Sequence, residues 1–261
     1  MTLIADRTAI RMPTILLGKV RVSRLILGSN PFFGFAHQGG DVGKEMKAYF
    51  TDEQIMEVMN QAAASGVTAV AAPPYARWIA LWEAYRARGG KLATWIAQPD
   101  GKPDAMVNDI DAAARGGAAL IFIQGERVDE QFRNGTFATV RAWLDRIHGL
   151  GRPAGIGSHR PDVHLAAQAG RFGADFYFQC LYRPEQYSED DRDRALDALE
   201  QLDKPVVAYK VLAAGRRDPA DAIPFVLSRL KPKDGLCIGM YPKDDPEQIR
   251  QNAQLVAGGS A

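Results

Sequence analysis

A chain of 261 residues has room for two small domains or for one (β/α) barrel, which takes about 250 residues. Hydrophobic residues at 46%, charged residues at 24% and a formal charge of +1 describe an ordinary globular protein, with no basic excess for nucleic acid or an anionic membrane. Two cysteines, Cys180 and Cys237, make no disulfide framework, and the chain holds no CxxC pair and no HExxH.

The opening MTLIADRTAIRMPTILL is interrupted by Asp6, Arg7 and Arg11, so it lacks an apolar signal core. No stretch reaches the roughly 20 apolar residues of a membrane span, and a cytoplasmic protein is expected. TILLGKVRVSR predicts a small hairpin, placed to plug the bottom of a barrel. Eight short apolar runs come next: RLILGSN (24–30), VTAVAAP (67–73), KLATWIAQ (91–98), AALIFIQGE (118–126), PAGIGSH (153–159), ADFYFQC (174–180), PVVAYK (205–210) and GLCIGM (235–240). They lack the in-out alternation of a one-faced sheet, so they read as parallel strands covered on both sides. After the first run, PFFGFAHQGGDVGKEMKAYF predicts a long loop of the kind that forms lids or binding surfaces. Helical segments fill the other gaps. The segment 51–65 opens with a capping box, Thr51 and Gln54. The segment 76–88 places Trp78, Leu81, Trp82 and Tyr85 on one face, a stripe that packs against the sheet. Two later helices open Asp218-Pro219 and Asp245-Pro246, an acidic cap before a first-turn proline.

Strict alternation of strand and helix, eight times within one domain's length, predicts an α/β fold: a (β/α)8 TIM barrel spanning 1–261 as a single domain. A doubly wound sheet is the alternative. Chemistry in such barrels sits at the C-terminal strand ends. Those ends carry Asn30, Ala72, Gln98, Gln124 with Glu126, His159, Gln179 with Cys180, Lys210 and Met240. The amides of Asn30, Gln98, Gln124 and Gln179 both donate and accept, which suits a neutral hydroxylated or carbonyl compound better than a phosphate. Lys210 closes an apolar strand, where desolvation lowers an amine's pKa and makes it a base or a Schiff-base nucleophile. The plainer alternative is an ion pair with Glu126, or an apolar stem that carries its ammonium to water. His159 titrates near neutrality and is a candidate acid or base. His37, in the long loop, and Arg216, after the seventh strand, are further substrate-binding candidates. Glu126, His159 and His37 have no metal-ligand spacing, so no metal is expected. His148 sits near a helix C-terminus, and His164 is expected to be exposed on its helix.

LLGKVRVSRLILGSNPFFGF resembles the opening of the aldo-keto reductases, where a short hairpin ending in Val-Ser leads into the first barrel strand. AGIGSHR (154–160) is similar to that family's fifth-strand segment, DFYFQCLY keeps a Gln-x-x-Tyr spacing at Gln179 and Tyr182, and VVAYKVLAAG is similar to its seventh-strand segment. IGMYPKDDPEQIRQNA resembles its last strand and helix, with Glu247-Gln248 and Asn252 in place. The resemblance implies an eight-stranded barrel and carbonyl reduction with NADPH through Asp, Tyr, Lys and His. At the matching positions stand Ala71, Tyr75, Gln98 and Gln124, so three of the four titratable groups are absent. It further implies that Ser158 and Gln179 hold a nicotinamide carboxamide and that Lys243 lies near the cofactor.

The expected function is therefore a cofactor-independent barrel enzyme of the lyase, isomerase or aldolase type. It would move a proton on a small carbonyl or sugar-like compound, with Lys210, His159, Glu126 and Tyr75 as candidate catalytic groups. The alternatives are an NADP(H)-dependent reductase and a non-catalytic small-molecule binding protein.

Overall fold

The computed structural model describes residues 9–184 and 186–258, so Asp6 and Arg7 lie outside the described part. A two-stranded antiparallel hairpin comes first, β1 (Thr14–Leu17) and β2 (Val20–Ser23), paired from Thr14↔Ser23 to Leu17↔Val20. Eight parallel strands follow: β3 (Leu25–Gly28), β4 (Ala69–Ala72), β5 (Thr94–Ala97), β6 (Leu120–Ile123), β7 (Ala154–Ser158), β8 (Phe176–Cys180), β9 (Val206–Tyr209) and β10 (Gly235–Gly239). They close into a barrel in chain order, with β10 returning to β3 in the register Leu236↔Leu25 to Gly239↔Gly28. This is the (β/α)8 TIM barrel, with the hairpin at its base. Closure leaves the barrel without an exposed sheet edge.

The eight strand runs and the hairpin lie where the sequence pattern places them, because buried two-sided strands show as unbroken apolar runs. The helices are α1 (Val42–Tyr49), α2 (Asp52–Ala64), α3 (Ala76–Ala87), α4 (Met106–Arg115), α5 (Gly125–Arg133), α6 (Ala138–Gly149), α7 (Pro161–Ala169), α8 (Glu189–Glu200), α9 (Pro219–Arg229) and α10 (Gln248–Gly258). Thr51 caps α2 by accepting from the Gln54 amide, and Asp218 caps α9 by accepting from the Ala220 amide. Asp245 accepts from the Glu247 amide in a turn that precedes α10, so that helix starts later than its acidic cap suggests. The long segment after β3 is not one loop. Asn30–Phe33 forms a 3₁₀ turn and α1 follows, anchored by buried Met46 and Phe50. Among the described residues no helix is long and apolar enough to cross a membrane.

Strand parity sorts the core into two layers. Ile26, Ala69, Ala71, Ile96, Leu120, Phe122, Phe176, Phe178 and Val207 meet the hairpin residues Ile15, Leu17 and Val22 inside the barrel. Their neighbours along each strand, among them Leu27, Val70, Trp95, Ile121, Ile156 and Tyr177, pack outward against the helices. Inside, Phe122 and Phe178 stack with centroids 3.9 Å apart. Gly155 makes room for Phe176 and Phe122: a Cβ there would lie 2.4 Å from the Phe176 ring and 2.8 Å from Phe122. The Trp78, Leu81, Trp82 and Tyr85 stripe is buried, with Trp78 and Trp82 against Trp95. His164 is fully buried rather than exposed. It faces the outer side of β8, its Nε2 3.2 Å from the Phe178 carbonyl and its ring 4.8 Å from Tyr177.

Candidate active site

The C-terminal strand ends share one mouth, as parallel strands in a closed barrel require. At the centre of its chemistry is Asp129, which sits on α5 and is only 1% exposed. A carboxylate this deep is stable only when donors surround it. The Ser158 hydroxyl donates to Oδ1, the His159 amide donates to Oδ2 at 3.0 Å, and His159 Nδ1 lies 3.0 Å from the same oxygen. With a carboxylate facing Nδ1, the proton sits there, and Nε2 is left with its lone pair. Asp129 thus fixes both the tautomer and the direction of His159.

Gly125 brings α5 close enough for this contact. A Cβ at that residue would lie 2.9 Å from the Tyr209 hydroxyl, 3.2 Å from Ser158 Cα and 3.3 Å from His159 Cε1. Tyr209 points into the barrel, donates to the Ser158 carbonyl at 3.2 Å, and its ring is 5.9 Å from His159. Burial raises its hydroxyl pKa well above the usual value, so it stays a neutral donor.

Lys210 follows Tyr209 with φ +57, a left-handed conformation that costs a non-glycine residue about 1–2 kcal/mol. Ala213 (φ +48), Ala214 (φ +55) and Gly215 (φ +81) continue the left-handed turn. Four such residues in six positions turn the chain sharply and hold the lysine at the strand end. Burial lowers the pKa of the Lys210 amine, against an opposing pull from Cys180 and Glu126. Among the described residues no carboxylate lies within the 4.0 Å of an ion pair with it. Glu126 instead pairs with Arg133 at 2.7 Å, so the alternative of a Glu126–Lys210 ion pair does not form.

His37 lies over the same mouth. Burial and the charges of Lys210, His159 and Arg216 push its imidazole down to about 4, so it is neutral at pH 7. Its carbonyl accepts from the Tyr187 hydroxyl at 3.3 Å and from both terminal nitrogens of Arg216 at 3.3 Å. Gln38 donates to the Ala214 carbonyl. The segments after β3, β8 and β9 are therefore joined across the opening.

The other candidate residues are placed less centrally. Asn30 opens the 3₁₀ turn and Gln98 ends β5, both half-buried at the mouth. Gln124 caps α5, its side-chain oxygen accepting from the Arg127 amide, which commits it to the helix. Gln179 shares the outward parity of Tyr177; it is fully buried, donates to the Cys180 carbonyl, and does not line the mouth. Ser158 likewise faces outward, toward Asp129. The Tyr75 hydroxyl donates to Asp100, and burial together with that bond raises its pKa well above the usual value. Lys243 pairs with Glu45 of α1 at 3.5 Å. Cys180 is buried inside the barrel, its thiol pushed up to about 12, so it is not a thiolate nucleophile.

Glu126, Asp129 and His159 bring ligand atoms within 4.8 Å of one another, a set that could hold a divalent cation. His37 is not part of it. Asp129 and Tyr209 are the two residues that sequence reasoning did not single out. An acid inside a helix reads as solvated, and only its position one turn after Glu126 hinted at a shared face. Tyr209 was legible from parity, two residues after Val207.

No protein-family model and no curated protein sequence matches the chain. Among solved structures, a "putative aldo-keto reductase" from Pseudomonas aeruginosa superposes at a TM-score of 0.67, with 16% identity over 98% of this chain and 99% of that one. A truncated 3-deoxy-D-arabino-heptulosonate 7-phosphate synthase from Thermotoga maritima gives a TM-score of 0.56 at 14% identity, covering 95% of this chain and 90% of its own. A thiamine phosphate pyrophosphorylase from Pyrococcus furiosus gives 0.53 at 14% identity, covering 91% and 96%. At such identities the likeness is one of fold.

Proposed function

We propose that this chain is an enzyme that moves a proton on a small carbonyl compound without a nicotinamide cofactor. The observation that carries this reading is the Asp129–His159 pair at the same mouth as the half-buried Lys210, which has no acidic partner among the described residues. An amine with a lowered pKa is neutral, and so nucleophilic, at a lower pH than a free lysine. It adds to the carbonyl carbon, the carbonyl oxygen leaves as water, and the protonated imine becomes an electron sink. His159 Nε2 then takes the α proton, while Asp129 stabilises the imidazolium through Nδ1. Reprotonation of the enamine at the α carbon, on either face, and hydrolysis of the imine return free Lys210 and the substrate or its α-epimer. Asn30 and Gln98 supply donors and acceptors for substrate hydroxyls.

The reductase alternative has less support. Tyr75 is held as a donor to Asp100 with a raised pKa, the opposite of what a proton-donating tyrosine needs. Ala71, Gln98 and Gln124 supply no charge to correct it. Gln179 and Ser158 are turned outward and used by the protein.

Borohydride reduction in the presence of a panel of short aldehydes, ketoses and keto acids tests the reading. The expected result is a stable adduct mapped by mass spectrometry to Lys210 and missing from Lys210→Met. Adducts spread over surface lysines, with none at Lys210, would remove the Schiff-base step.

A further inference from the structure

We propose that the substrate carries an anionic end, a carboxylate or a phosphate monoester, and that Arg216 binds it with Lys210 contributing to the field. The proposal rests on the proton-transfer reading for the position of the carbonyl, and it adds what is attached to that carbonyl. Two cations at the mouth lack an acidic partner. Glu126 is taken by Arg133 at 2.7 Å, Asp129 is held by the Ser158 hydroxyl and His159, and Asp100 accepts from Tyr75. Among the described residues neither Lys210 nor Arg216 has a carboxylate within the 4.0 Å of an ion pair, although Arg217, the next residue, pairs with Glu189 at 2.9 Å.

Arg216 is also held in place. Its guanidinium lies over the Tyr187 ring, 4.1 Å from the centroid, and donates to the carbonyls of His37 and Ala213 at 3.3 and 3.1 Å. These are neutral acceptors, so its charge stays uncompensated while its long side chain is ordered. An ordered guanidinium loses less entropy on capturing an anion and offers a planar fork for two oxygens. Lys210 and Arg216 are the first and last residues of one tight turn, six positions apart, and both act on His37. Both cations therefore face the part of the mouth that His37 covers. The amides of Asn30 and Gln98 then serve the uncharged part.

The test is calorimetric titration of the whole protein at pH 7.5 and constant ionic strength, with inorganic phosphate and, separately, with glycolate as the small carboxylate. Saturable binding of at least one at roughly 1 mM or tighter is expected. It should weaken about tenfold or more in Arg216→Gln, the loss of a charged hydrogen bond, and recover in part in Arg216→Lys. Thermal melts of each variant confirm that the fold is kept. Preference for phosphate or for glycolate names the anion. Absence of binding by either, or binding unchanged in Arg216→Gln, overturns the proposal. Borohydride trapping at Lys210 is read independently: trapping without anion binding removes only the anionic end, and anion binding without trapping removes only the Schiff base.

Discussion

At the level of single residues, two groups are held in states that water would not give them, and each makes a measurable claim. Lys210 is a desolvated cation, so its protonated form is disfavoured in the fold relative to the unfolded chain. Lys210→Met is therefore expected to cut activity about a hundredfold or more while leaving the melting temperature equal or higher. A large drop in melting temperature would show that the ammonium is structural. Asp129→Asn keeps the shape but offers His159 an amide, and turnover should fall by about a hundredfold or more. Asp129→Glu, which keeps a carboxylate, should restore part of the lost turnover, a rescue that a merely structural carboxylate would not produce. His164 gives a prediction about stability. Burial holds its imidazole pKa at about 4, against 6.5 when unfolded. Below 6.5 the unfolded chain takes up a proton that the fold refuses. Stability is thus intact above that pH and falls by roughly 3 kcal/mol as pH approaches 4. Urea melts at pH 7.5, 5.5 and 4.5 should show the decline, and His164→Leu should flatten it. His37, also pushed down to about 4, acts in the same direction from its half-exposed place.

At the level of elements, the turn after β9 and the start of α5 set the site. Ala214 stands at φ +55, where glycine is at ease. Ala214→Gly should raise stability by about 1 kcal/mol and Ala214→Val should lower it by more, read as shifts in the urea midpoint. Gly125→Ala would press its methyl against Tyr209, His159 and the Ser158 backbone, and should lower turnover and cost about 1–3 kcal/mol of stability. The strand ends were legible because unbroken apolar runs terminate visibly. Lys210 could be read as a strand-end lysine, but its left-handed backbone could not, since nothing in VVAYKVLAAG requires four positive φ angles. Gln179 misled because position along a strand says where a residue sits, and parity says which way it points. His164 misled for a related reason: helical spacing gives a face, but the imidazole is buried because the Phe178 carbonyl lies opposite it. Asp129 was hidden because its partners, Ser158 and His159, come from a strand 29 and 30 residues further on.

At the level of the whole molecule, a closed barrel with its base plugged by a hairpin leaves the mouth as the place where the C-terminal ends of all eight strands meet. The fold is common to proteins of different chemistry, so function must be argued from the site. Here the site has an oriented imidazole, an amine of lowered pKa and an arginine without an acidic partner among the described residues, with Ala71, Gln98 and Gln124 where the resemblance to a reductase would place titratable groups. NADPH with simple aldehydes should accordingly give no turnover approaching about one per second. The most direct measurement is deuterium exchange. Short aldehydes, ketoses and keto acids, with and without a phosphate or carboxylate, are incubated with the protein in D₂O and followed by proton NMR. Loss of the α-proton signal from at least one compound is predicted, slowed about a hundredfold or more in Lys210→Met and in Asp129→Asn. No exchange from any compound, together with NADPH-dependent reduction of an aldehyde, would contradict the account.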